Sequence, residues 1–221
     1  MADIVIFGTG YSADVARVYL QRYSKHRIAG FTVDRQYATT DRFHNLPVVA
    51  WDCLEGVFPP DQVELLGPIS YSRMNQLRCE RYREGKARNY RFASFIHPQS
   101  NVETEEIGAH CFILERNIIE PFVKIGENVV MWGGGHVGHN AVIGDNSFLS
   151  GDVGLGARAR IGQRCFLAAR AAVRVDVTVG DDCLLGFGVT VETDVADGSV
   201  VVRSEQNRIS RAPSSRVSRL L

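Results

Sequence analysis

From Ile107 to Val191 every sixth residue is apolar, and all but Met131 are Ile, Leu or Val. The phase holds through Ile107, Ile113, Ile119, Ile125, Met131, Val137, Ile143, Leu149, Leu155, Ile161, Leu167, Val173, Val179, Leu185 and Val191. A period of six fits neither a helix, at roughly 3.6 residues per turn, nor the alternation of a simple strand, so it specifies a repeat. A slower period lies over it: Ile-Gly or Val-Gly recurs at 107, 125, 143, 161 and 179, each 18 residues apart. Three hexapeptides per 18-residue coil describe a triangular prism whose interior the aliphatic column fills. Gly108, Gly126, Gly144, Gly162 and Gly180 then occupy a repeated corner where a Cβ would be costly. The predicted architecture is a left-handed parallel β-helix of hexapeptide repeats. Ile96 and Val102 are also six apart, but Ile107 follows Val102 by five, which predicts an irregular first coil. From Asp197 the period is lost.

The first 92 or so residues have another texture. Ile4-Val5-Ile6-Phe7 reads as a short buried strand, followed by Gly8-Thr9-Gly10-Tyr11-Ser12 and a helical pattern carrying Val15, Val18, Tyr19 and Leu20. Ile28 to Val33 reads as a second strand ending at Asp34. Leu46 to Val49 and Val63 to Leu66 read as further strands, and Met74 to Glu84 as a helix. Strands alternating with helices predict a small Rossmann-like parallel α/β domain. The expected division is 1–92 for this domain, 93–202 for the β-helix, and 203–221 for a polar tail running along the outside as a strand or helix.

Composition narrows the function classes. The 25 basic and 25 acidic residues among 221 give zero formal net charge, which argues against nucleic acid as the main partner. No basic n-region opens the chain and no apolar window is long enough to span a bilayer, so a cytoplasmic protein without membrane insertion is expected. Cys111, Cys165 and Cys183 share one repeat position with Val129 and Ser147, a column of small residues that should pack inside the coil. Cys53 and Cys79 are isolated, and no CxxC pair suggests a metal.

Two segments carry chemistry. A glycine-rich turn between a first strand and a helix is an anion site, because N-terminal helix amides point at the ligand. Gly8, Gly10, Tyr11 and Ser12, with Asp34 after the second strand, resemble half of a dinucleotide fingerprint. Ala13 stands where a third glycine would be, and the segment is too short for two mononucleotide halves. One nucleotide diphosphate is therefore favoured over a nicotinamide cofactor. In the repeat, Gly133-Gly134-Gly135-His136-Val137-Gly138-His139-Asn140 places two histidines outside both inward columns. They should face outward or lie at corners, where a neutral imidazole suits a general base.

With these residues in view, the chain resembles the hexapeptide-repeat sugar acyltransferases of the sialic-acid O-acetyltransferase and bacillosamine N-acetyltransferase type. Gly8 to Ser12 and Gly30-Phe31-Thr32-Val33-Asp34 are similar to the family's sugar-nucleotide domain. Phe95-Ile96-His97-Pro98 resembles the family's approach to its β-helix, and His139-Asn140-Ala141-Val142-Ile143-Gly144-Asp145 resembles the segment bearing its base. The resemblance implies a homotrimer with acetyl-CoA in a groove between adjacent prisms. It implies direct N-acetylation of a UDP- or dTDP-linked amino sugar in surface-glycan (O-antigen, lipopolysaccharide) synthesis, with His139 as base beside Asn140 and His136. Ala157, Ala169, Gly186 and Phe187 would touch CoA, and no metal is expected. Two departures stand out. Asn140 occupies the place where bacillosamine-type members carry Glu, so the base would be weaker or oriented by another residue. Val202-Arg203-Ser204-Glu205 replaces a Gly-x-Pro-Ala turn common at the end of the last coil.

Three other readings compete. O-acetylation of a sugar hydroxyl uses the same parts. A zinc enzyme of β-helix type would need His110, His136 and His139 together. A non-catalytic sugar-nucleotide-binding protein would leave His139 idle.

Overall fold

The structure, a computed structural model, describes residues 2–203. Beyond Arg203 the tail expected along the outside lies outside the described residues.

The N-terminal part is a six-stranded sheet with helices against it. Its elements are β1 (Asp3–Phe7), α1 (Tyr11–Tyr23), β2 (Arg27–Val33), β3 (Arg42–Phe43), β4 (Leu46–Ala50), α2 (Leu54–Val57), β5 (Val63–Leu66), α3 (Gln76–Ala87) and β6 (Arg91–Phe92). The order is β3-β4-β2-β1-β5-β6, parallel except for the β3–β4 hairpin. The chain moves outward from β1 through β2 to β4 and returns to the other side of β1 as β5, so order reverses at β1. All four expected strands form. The helix expected from Met74 starts later, at Gln76, because Arg73, Met74 and Asn75 have φ of 51°, 51° and 64°. No right-handed turn can include them.

From Phe95 the chain winds as a left-handed prism of two-residue strands on three flat faces. The first face runs from Phe95–Ile96 through Phe112–Ile113, Val130–Met131, Phe148–Leu149, Phe166–Leu167 and Leu184–Leu185 to Val200–Val201. The second carries Asn101–Val102, Ile118–Ile119, His136–Val137, Gly154–Leu155, Ala172–Val173 and Thr190–Val191. The third carries Lys124–Ile125, Val142–Ile143, Arg160–Ile161 and Thr178–Val179. The aliphatic column points inward throughout: from Ile113 to Val191 none of its members is more than 4% exposed. Burying one such side chain stabilises by about 1.5–3 kcal/mol, so the stack is its own core. Cys111, Val129, Ser147, Cys165 and Cys183 are buried two residues before it, as expected. The glycine column is required by stacking rather than by backbone conformation. At Gly144 a Cβ would stand 2.6 Å from the carbonyl carbon of Gly162 in the next coil. The left-handed backbone falls elsewhere, once every six residues, at corner positions such as Asn128, Asn140, Asn146 and Arg158.

Both ends depart from the period. Ile96 and Val102 pair with Ile113 and Ile119, one residue short of a full coil, so the first coil is irregular as expected. At the other end the stack does not stop at Asp197. Val195 pairs with Val179 and Val201 with Leu185, so a coil shortened by two residues continues the prism.

The faces differ in what they turn outward. Aromatic and branched side chains cover the first, and there the N-terminal sheet docks. Ile4, Ile6, Ala16, Leu20 and Leu66 share one core with Phe95, Phe112, Leu114, Val130 and Phe148. Polar ties flank it: the Tyr19 hydroxyl donates to Glu115 (2.7 Å), the Tyr82 hydroxyl to Glu127 (2.9 Å), and Asn75 to the Cys165 carbonyl (2.9 Å). The second face shows small residues, Gly154 and Ala172 among them. Among the described residues no helix is long and apolar enough to cross a membrane.

Candidate active site

The first candidate region follows from the reversal at β1. Loops after neighbouring parallel strands diverge there, and a crevice opens at the strands' C-terminal ends. Gly8, Gly10, Tyr11, Ser12 and Asp34, all read from sequence, line this one crevice. Gly8 has φ of 116° and donates its amide to the Thr32 carbonyl at 2.7 Å. Gly10 caps α1 without any side-chain hydrogen bond, which leaves first-turn amides open to an anion. The far wall, Pro68, Ile69, Ser70 and Ser72, comes from the loop after β5 and carries no sequence motif. Asp34 is not a free carboxylate: Arg81 of α3 contacts its Oδ1 at 2.8 Å through both Nε and Nη2. Oδ2 is left unengaged by Arg81.

The second region is the edge between the second and third faces. His136 projects from the second face, and His139 and Asn140 form the following corner, all three exposed. Asn140 takes the left-handed conformation (φ 59°), and its carboxamide nitrogen lies 3.0 Å from Nδ1 of His139. Among the described residues no hydrogen bond engages Nε2 of His139. Glu120, one coil earlier, reaches both histidines: Oε1 is 2.9 Å from Nε2 of His136, and Oε2 accepts the backbone N–H of His139 at 2.7 Å. The His139 amide, and after it His136, hold the Glu120 carboxyl below the usual carboxylate range. Sequence reading missed Glu120, although 18-residue stacking sets position 120 under Gly138. A groove continues from these residues over Gly154, Gly156, Ala157 and Ala172. Its small residues leave room for a ligand against the prism wall. The Ala157 amide, in the corner one coil above His139, has no acceptor among the described residues.

The positions expected to touch CoA divide between two edges. Ala157 belongs to the His139 groove, whereas Ala169, Gly186 and Phe187 lie at the corner between the first and second faces. There Phe187 is exposed, with the Arg170 guanidinium 5.9 Å from its ring centre. The three histidines of the zinc reading do not converge. His110 is buried beneath the N-terminal domain, accepts the Gly67 amide at 2.8 Å and stacks on Tyr82. Among the described residues no group of three His, Cys, Asp or Glu is arranged to hold a metal.

The two regions lie on opposite sides of one chain. The crevice belongs to the domain docked on the first face, and His139 sits at the edge opposite that face.

Comparison with solved structures agrees with this architecture. The acetyltransferase domain of PglB from Neisseria gonorrhoeae FA1090 matches with a TM-score of 0.78 at 20% identity, over 90% of this chain and 96% of that one. PerB from Caulobacter crescentus, in complex with CoA and GDP-perosamine, matches with a TM-score of 0.69 at 23% identity, over 90% and 93%. WeeI from Acinetobacter baumannii AYE matches with a TM-score of 0.53 at 15% identity, over 92% and 97%. The chain shares the fold of these structures, a parallel β-helix preceded by a small α/β domain. No protein-family model matches the chain, and neither does any curated protein.

Proposed function

We propose that the chain is an acetyl-CoA-dependent N-acetyltransferase acting on the amino group of a nucleotide-linked sugar. It would work as a cytoplasmic homotrimer in surface-glycan synthesis. The observation that carries this reading is an exposed imidazole, His139, whose Nε2 has no hydrogen-bond partner among the described residues, in a groove walled by Gly154, Gly156, Ala157 and Ala172. The shared fold with PerB, described with CoA and GDP-perosamine, and with the PglB domain, described with acetyl coenzyme A, supports it.

The chemistry is a direct transfer. The sugar amine attacks the thioester carbonyl carbon while Nε2 of His139 takes one amine proton. The Ala157 N–H is the backbone donor best situated for the developing oxyanion. As the C–S bond breaks, the thiolate of CoA leaves and His139 returns the proton to it, so no group on the protein is acylated. The cysteines agree: burial pushes the Cys111 and Cys165 thiols up to about 11 and about 12, where they are poor nucleophiles.

The separation of crevice and base supports a trimer, because a sugar held in one chain's crevice can meet only a neighbouring chain's His139. The small outward residues of the second face suit close approach of a second prism. Uracil, thymine and guanine nucleotides all remain candidates, so the test uses UDP-, dTDP- and GDP-linked 3-amino and 4-amino sugars. CoA release on one of them, abolished in His139→Ala, is the expected result. Turnover only on hydroxyl acceptors would transfer the reading to O-acetylation, and none at all would leave a binding role.

A further inference from the structure

We propose that Glu120 is the positioning residue of the base, supplying from the preceding coil the negative charge that Asn140 does not provide beside His139. The proposal rests on the acetyltransferase reading and deepens it.

The observation behind it is one carboxylate that holds two points of the histidine corner, the His136 ring through Oε1 and the His139 main chain through Oε2. A bridge of this kind could be a device for building the corner. The next coil argues otherwise. There Gly156, Ala157, Arg158 and Ala159 repeat Gly138, His139, Asn140 and Ala141 in the same geometry. Arg158 has φ of 60° against 59° for Asn140, and Ala159 donates to Gly156 at 3.1 Å as Ala141 does to Gly138 at 3.2 Å. Among the described residues no carboxylate accepts the Ala157 amide of that corner. Carboxylates do hold the equivalent amides of Glu127, Gln163 and Asp181 at another edge, but they come from Asp145, Asp181 and Asp197 of the following coil. Along the edge of His139, among the described residues, Glu120 alone reaches a corner amide from the preceding coil, and it also engages an imidazole.

Two consequences follow from elementary electrostatics. Oε2 fixes the main chain of His139, and with it the origin of the ring. The anion beside the corner also favours the imidazolium that His139 becomes when it takes the amine proton, the role that a carboxylate next to a catalytic histidine commonly plays. His136, held on the other oxygen, keeps the carboxylate aimed at the corner. The titratable and charged groups around His139 in one chain are Glu120 from the coil before, His136 from its own coil, and Arg158, paired with Asp176, from the coil after.

The test compares Glu120→Gln and Glu120→Ala with wild type in the CoA-release assay. Gln keeps an oxygen for the His139 amide but removes the charge. The expected result is a kcat lowered about tenfold or more in both variants. KM for acetyl-CoA and for the nucleotide sugar should stay near wild type, a split between kcat and KM that a merely structural brace would not produce. Adding His136→Ala to Glu120→Gln should lower kcat little further. Wild-type kcat in Glu120→Gln, or a loss that falls on KM instead of kcat, would overturn the proposal and leave Glu120 a brace. Should Glu120→Ala melt early, Glu120→Gln alone decides. A wild type silent on every acceptor would sink the acetyltransferase reading and this proposal with it, whereas an active wild type matched by Glu120→Gln sinks only the proposal.

Discussion

The carboxamide nitrogen of Asn140 lies 3.0 Å from Nδ1 of His139, and this contact decides which ring nitrogen can act as the base. A carboxamide turned by half a rotation exchanges oxygen for nitrogen at the same place. With oxygen toward the ring, Nδ1 carries the proton and Nε2 presents a lone pair to the groove. With nitrogen toward it, as the carboxamide is placed here, Nε2 holds the proton and the base is blocked, so transfer through Nε2 requires the carboxamide turned with its oxygen to Nδ1. Asn140→Asp removes the choice, since a carboxylate only accepts, and it adds charge favouring imidazolium. Its kcat should equal or exceed wild type, and Asp already occupies equivalent left-handed corners at 152, 176 and 182. Asn140→Ala should lose about tenfold in kcat and about 1–2 kcal/mol of stability at φ 59°. Steady-state kinetics beside thermal melting separates the two effects.

Gly8 and Gly10 should respond differently to the same substitution. At Gly8 a side chain must accept φ of 116°, so Gly8→Ala should lower the melting temperature. At Gly10 an added Cβ meets nothing within 4 Å, so Gly10→Ala should melt with wild type. It should still weaken nucleotide-sugar binding, because the methyl narrows the approach to the open amides of α1, while acetyl-CoA binding is unchanged. Calorimetric titration of each substrate checks this.

Thiol alkylation tests whether transfer is direct. Cys111, Cys165 and Cys183 are buried, so a thiol reagent should modify native protein only at Cys53, which is exposed, and more slowly at Cys79. Activity should survive. Mass spectrometry should also find no acetylated cysteine after incubation with acetyl-CoA, and a stoichiometric acetyl-thiol adduct would contradict direct transfer.

His110 gives the fold a pH dependence in an accessible window. Burial, then the nearby Arg78 charge, hold it down to about 3, against an ordinary value of 6.5. Its folded-state pKa is depressed, so the unfolded chain takes up the proton first. The contribution is full above about pH 6.5 and is lost progressively as pH falls toward 3, by about 1.4 kcal/mol per unit. Denaturant unfolding from pH 7 to 5 should therefore show a steeper loss of stability in wild type than in His110→Asn, which suits φ of 59° and does not titrate.

The prism was legible because each inward position repeats one physical demand. An Ile or Val every six residues can be counted without knowing what it touches. The crevice was legible in part: Gly8 to Ser12 form a local motif, whereas Ser70 and Ser72 reach the same crevice from a loop with no pattern. What escaped depended on contacts distant in sequence. Glu120 meets His136 and His139 only through coil stacking, and Arg81 reaches Asp34 from a helix 47 residues on. The left-handed run Arg73–Asn75 and the shortened last coil escaped because neither Arg nor Met favours that conformation, and Val195 stands two places early.

Subunit complementation tests the central claim, transfer at a site shared between one chain's crevice and another chain's His139. One partner is His139→Ala. The other is Ser12→Glu, whose charge suits the start of α1 but repels a diphosphate. Each alone should be inactive. Unfolded and refolded together in equal amounts, they should regain about a quarter of wild-type CoA release, the share of sites pairing an intact crevice with an intact base. A mixture as silent as its components, with mixed oligomers confirmed by native mass spectrometry, would contradict the account.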